Sequence, residues 1–85
     1  KGEDIQGEGV SVAVRADDPS LPSSEWQFNT TQRTELINGT FDWREYSVTL
    51  ENISPGAERI YVFLLYLTRT QGQVYFDDVR VDVLD

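Results

Sequence analysis

The 85-residue sequence predicts an all-β protein, an antiparallel β-sandwich or jelly roll. Three observations carry this. Residues 10–15 alternate strictly, with Val10, Val12 and Val14 on one face and Ser11, Ala13 and Arg15 on the other. The stretch "RIYVFLLYLT", residues 59–68, is apolar on both faces, as a central strand is. Clusters of Gly, Pro and Ser punctuate the chain at regular spacing, and no helical period persists between them.

Each element follows in order. "GVSVAVRA" reads as a half-buried strand, because β-branched residues at period two fit a pleated surface. "DDPSLPSSE", with Pro19 and Pro22, is a loop, and Asp17 and Asp18 read as solvated turn residues. "WQFNTTQRTELI", residues 26–37, reads as a twisted or edge strand. "NGT" at 38–40 is a turn, and "WREYSVTLENI" is a strand with Tyr46, Val48 and Leu50 on one side and Ser47 and Thr49 on the other. "SPGAE" turns the chain at Pro55–Gly56. "RTQGQ" turns it again, and "VYFDDVRVDVL" closes with Val79, Val81 and Val83 alternating against Asp78, Arg80 and Asp82.

Composition bounds the chemistry. The length fits one small domain, residues 1–85, with a modest core. With no Cys, disulfides and thiolate metal sites are excluded, and with no His the commonest general base and zinc ligand are gone. A metal here is an oxygen-ligated cation such as calcium. A net charge of -8 repels phosphate backbones and anionic membranes, so nucleic acid and membrane surfaces are not expected partners. No apolar run is long enough to insert in a membrane. An enzyme needs an activated nucleophile or a spaced carboxylate pair. Asp77 and Asp78 are adjacent on a strand and diverge, so no catalytic residue is assigned. All three asparagines, Asn29, Asn38 and Asn52, lie in N-x-[ST] sequons, which suits a secreted protein. The opening "KGEDIQGEG" reads as the middle of a longer chain.

The succession "KGEDIQGEGVSVAV", "INGTFDWREYSVTL", "GAERIYVFLLYL" and "GQVYFDDVRV" resembles the second half of a jelly-roll carbohydrate-binding module of the galactose-binding-like fold, the kind that accompanies xylan- and glucan-degrading enzymes. The resemblance implies a non-catalytic accessory module of a secreted or surface protein, extracellular or periplasmic, binding a polysaccharide or oligosaccharide. Such modules carry further strands before "KG", so the chain resembles a partial module. The strand from Val74 to Val83 would then have an open edge for a homodimer or a strand-completing partner chain. Trp26, Arg33, Tyr61 and Phe63 fall where the family's sugar contacts lie, though each also suits core or rim. Trp43, in the "DW" motif, is expected to pack. The first Asp of "FDD" commonly ligates a structural calcium in these modules, with a carbonyl near "KG". This implies Asp77 and the carbonyl of Lys1 here. If the valines of the last strand face the core, Asp77 points inward. The other reading of Asp77 is a hydrogen bond to backbone amides or to an arginine such as Arg59. A structural sandwich that mediates assembly or spaces domains, without sugar, is the alternative function.

Overall fold

The structure, a computed structural model, describes residues 1–82. The described residues are antiparallel β-structure, and the only helical elements among them are two short 3-10 turns, at Ser23–Glu25 and Thr31–Arg33. The strands are β1 (Gly2–Asp17), β2 (Gln27–Thr30), β3 (Ile37–Phe41), β4 (Arg59–Tyr66) and β5 (Gln71–Val74). The described residues form one sheet built on β1, to which every other strand is hydrogen-bonded.

β1 is 16 residues long, which lets two strands sit end to end along each of its sides. Val10 pairs with Ile37 of β3 and also with Tyr66 of β4, and Gly2 pairs with Phe41 of β3 and also with Val74 of β5. A strand residue has one neighbour per side. Therefore β2 and β3 share one side, and β4 and β5 the other.

The two halves of β1 differ in regularity. From Val10 to Asp17 the ladder with β4 runs without a break, Val10↔Tyr66 to Asp17↔Arg59. Below Val10 the ladders with β3 and β5 both carry register shifts. Gly9 sits at that break with φ +88°, a conformation L side chains rarely adopt. A Cβ there would lie well under 3.0 Å from the Ile37 carbonyl oxygen. Glycine therefore lets β3 approach β1 at the bulge.

The core lies in this bulged half. Ile5, Val10, Ile37 and Phe41 form the buried apolar cluster, with Tyr46 and Val74 packed against it. Phe41 and Tyr46 meet edge to face, 6.3 Å between centroids. In the regular half, the sheet has two distinct faces. Val10, Val12 and Val14 share one with Ile60, Val62 and Leu64; Ser11, Ala13 and Arg15 share the other with Tyr61, Phe63 and Leu65. A hydroxyl cluster closes the second face beside β2. Ser11 Oγ and Thr30 Oγ1 lie 2.6 Å apart, Thr31 Oγ1 donates to Ser11 Oγ at 3.3 Å, and the Val12 amide donates to Thr31 Oγ1 at 3.1 Å.

Several expected elements take other forms. The region read as one strand over 26–37 is the four-residue β2, a 3-10 turn and the first residue of β3. "NGT" lies inside β3 rather than turning the chain, with Gly39 at φ +89°. Residues 43–53 are not a strand, yet Tyr46, Val48 and Leu50 are half-buried while Ser47 and Thr49 are exposed. The alternation there marks a side facing the sheet, and among the described residues the segment has no ladder partner. Past Val74 the described chain is also outside any strand. Val79 and Val81 are 53% and 62% exposed, so the expected core-facing valine row is not formed; Val83 lies outside the described residues. Trp43, expected to pack, is 55% exposed.

Candidate functional site

The ring-bearing face of the sheet is the candidate site. Tyr61 and Phe63 alternate on β4, so both rings point to the same side, 6.2 Å apart and nearly parallel at 25°. Arg15 on β1 pairs with Tyr61 and projects on that side. Its guanidinium carbon lies 5.1 Å from the Tyr61 ring centre, 5.4 Å from Phe63 and 5.3 Å from Trp26. Three rings thus surround one cation, within the reach of cation–π attraction. Asp17, two residues along the same face of β1, holds the guanidinium through Nε at 2.6 Å and Nη2 at 3.0 Å. That bidentate bond raises the Arg15 pKa further above its ordinary value. At the rim, Arg59 Nη1 donates to the Tyr61 hydroxyl at 3.4 Å.

Trp26 is set by the preceding loop. Its indole Nε1 donates to the Asp18 carbonyl at 2.8 Å and to the Leu21 carbonyl at 3.3 Å. The loop in turn is organised by the Asp18 carboxylate, which is 3% exposed rather than solvated as the sequence suggests. Asp18 Oδ1 accepts from the Ser20 hydroxyl at 2.6 Å and the Ser20 amide at 2.9 Å, and Oδ2 accepts from the Ser54 hydroxyl. The Ser20 hydroxyl, then the Ser54 hydroxyl, then the Ser20 amide hold its pKa below the usual carboxylate value. One carboxylate therefore ties the loop that carries Trp26 to the turn that leads into β4.

Of the four residues expected to meet sugar, the fold brings together Trp26, Tyr61 and Phe63. Arg33 stands apart: it is exposed on a 3-10 turn and borders a separate shallow groove with Gln27, Asn29 and Glu51. Arg15 is the member the sequence reading missed. Its signal was parity, since Arg15 interrupts a small-residue face directly before an acid at i+2.

Asp77 is exposed, and its Oδ1 accepts from the Asp78 amide at 2.8 Å. The Lys1 carbonyl accepts from the Tyr75 amide at 2.8 Å, and the Lys1 backbone nitrogen donates to the Tyr75 carbonyl at 3.0 Å. Lys1 is thus paired with Tyr75, two residues before Asp77. Among the described residues, no group of three or more acidic side chains is placed to hold a cation.

The opposite face of the sheet borders a cleft of about 800 Å³. Val12, Val14, Val62 and Leu64 form its floor, and the segments 43–50 and 74–82 run along it. Of the sequon asparagines, Asn29 is engaged, its amide donating to the Thr49 carbonyl at 2.8 Å, whereas Asn38 and Asn52 are exposed. Among the described residues, no helix is long and apolar enough to cross a membrane.

No protein-family model, curated protein or solved structure matches the chain.

Proposed function

We propose that this chain is a non-catalytic carbohydrate-binding module of a secreted or surface protein, a partial jelly-roll sandwich of the galactose-binding-like type. The observation that supports the reading is the gathering of Trp26, Tyr61 and Phe63 around Arg15 on one accessible sheet face. Ring faces stack on the C–H faces of pyranoses, and the Arg59 and Tyr61 polar groups at the rim are placed to bond hydroxyls. Arg15 is neutralised by Asp17, so the surface suits an uncharged glycan such as a xylan or glucan oligosaccharide.

Titration of xylan- and glucan-derived oligosaccharides, followed by Trp fluorescence and calorimetry, tests this. Binding is expected, weakened about tenfold by Tyr61→Ala or Phe63→Ala, the size of a lost aromatic contact of about 1.4 kcal/mol. Arg33→Ala is expected to leave affinity within about twofold, since a solvated rim contact contributes little. Absence of binding to either polymer class, in a folded protein, overturns the proposal.

A second reading is a structural domain that mediates assembly without sugar. The uncovered apolar floor of Val12, Val14, Val62 and Leu64 favours it.

A further inference from the structure

We infer that β4 is the interface of a homodimer, in which its outer edge pairs antiparallel with β4 of a second copy across a two-fold axis. The Leu67 amide donates to the Gly9 carbonyl at 3.0 Å, which fixes the phase of the β1–β4 ladder. By the antiparallel alternation, the backbone groups of Tyr61, Phe63 and Leu65 then turn toward β1. Those of Ile60, Val62, Leu64 and Tyr66 turn outward. Among the described residues, β4 pairs only with β1. Ile60, Val62, Leu64 and Tyr66 are all exposed.

Sheet edges that stay unpaired usually carry a blocking device: a Pro, a bulge, or a charge in mid-strand. Between Ile60 and Tyr66 there is no Pro, Gly or charged residue, and the ladder behind them has no register shift. β3 and β5, by contrast, sit in irregular ladders.

Charge selects the occupant. The chain carries -8, so most of its surface repels a second copy. From Arg59 to Phe76, however, there is no acidic residue, while Arg59 and Arg69 flank the edge. This is the face on which two copies meet with the least repulsion. The pairing is also self-complementary. With Phe63 on the two-fold axis, Val62 stands opposite Leu64 of the second copy, Ile60 opposite Tyr66, and Arg59 opposite Leu67. Every cross-strand pair is apolar or joins a cation to an apolar residue, and no like charges are opposed. The two ring-bearing faces then adjoin. The dimer does not rest on the glycan reading, because the edge groups are backbone atoms; it does set the two Phe63 rings side by side across the axis, so the pairing is measured in the absence of glycan.

Edge pairing alone buries less than the roughly 1,200 Å² of a standard interface, so the dimer is expected to dissociate on dilution through the micromolar range. Sedimentation velocity from about 1 to about 500 µM tests it. The mass is expected to rise to twice that of the chain and stop there. Raising salt from about 0.05 to about 0.5 M is expected to tighten the dimer, by screening the remaining acid–acid repulsion. Val62→Pro removes one outward amide and no bond to β1, and it is expected to be monomeric throughout with an unchanged far-UV circular dichroism spectrum. Leu64→Lys, which adds a mid-strand charge, is expected to do the same and serves if the proline variant does not fold. A monomer at the highest concentration overturns the inference, whether or not an unlike protein binds the edge. So does growth beyond a dimer, or a folded Leu64→Lys chain that dimerises like the parent.

Discussion

Replacing Gly9 by alanine separates two costs that a glycine at positive φ usually hides. Gly9 and Gly39 have nearly the same backbone angle, φ +88° and +89°. Around Gly39 a Cβ would meet nothing within 4 Å, whereas at Gly9 it would collide with the Ile37 carbonyl, with its carbon at 3.1 Å and Asn38 Cβ at 3.6 Å. Gly39→Ala therefore carries only the conformational penalty, about 1–2 kcal/mol. The stiffer unfolded chain offsets about 0.4–1 kcal/mol of this, leaving a loss near 1 kcal/mol. Gly9→Ala carries the same penalty and must also push β3 away from β1. Overpacking against backbone adds about 1–3 kcal/mol, for a total loss of about 2–4 kcal/mol. A chain of this size has only about 4–13 kcal/mol to lose. Urea unfolding followed by circular dichroism reads the difference. With a slope near 1 kcal/mol/M for a small protein, the midpoint is expected about 1 M lower for Gly39→Ala and about 2–4 M lower for Gly9→Ala. Equal midpoints for the two variants would refute the claim that β3 approaches closely at the bulge.

Three further outcomes follow from the core and the loops. Ile37→Ala is expected to lose about 2–5 kcal/mol and Ile37→Val about 0.5–1.5 kcal/mol, because Ile37 is buried in the cluster with Ile5, Val10 and Phe41; thermal unfolding checks the ratio. Asp18 has a folded pKa below its unfolded value of 3.8. Its contribution is thus present above that pH and is lost as the pH falls through the lower, folded value. Melting temperatures from neutral to strongly acidic pH are expected to drop in this acid range, and Asp18→Asn is expected to flatten that part of the profile while lowering stability at neutral pH. Chelation of divalent cations is expected to leave the melting temperature unchanged, since Asp77 holds the Asp78 amide; a fall on chelation, reversed by calcium, would instead support Asp77 and the Lys1 carbonyl as ligands.

The legible parts of this fold are those where side-chain pattern and pairing coincide. Residues 10–15 and 59–66 show their strands openly, since both are rich in β-branched and aromatic residues and each is the other's partner. "GEDIQGEG" hides half of β1, because its residues are polar and glycine-rich and the strand is held by neighbours far away in sequence, Ile37–Phe41 and Gln71–Val74. Residues 43–53 fail in the opposite sense. Their alternation reports which side faces the sheet, and no periodicity reports whether a ladder partner is present. At the site, the parity of Tyr61 and Phe63 on one strand is readable, and their meeting with Trp26 rests on a loop pinned by Asp18. That pin has a local signature, an Asp bonding the amide two residues on in "DPS". Its second partner, Ser54, lies 36 residues away and leaves no mark in the local pattern.

The dependence of every ladder on β1 has a consequence for synthesis. β1 is made before all its partners. The β2 and β3 side can be occupied early, but β4 begins 42 residues after β1 ends. At about 5–20 residues per second, the other side of β1 waits roughly 2–8 s for its strand. During that interval the nascent chain displays the open edge of Val10–Asp17. The acidic residues Glu3, Asp4 and Glu8 before this stretch, and Asp17 and Asp18 at its end, flank the waiting edge with negative charge. The strand that waits is thus bracketed by acids at both ends, whereas the edge that the finished sheet has to share runs without an acid from Arg59 to Phe76.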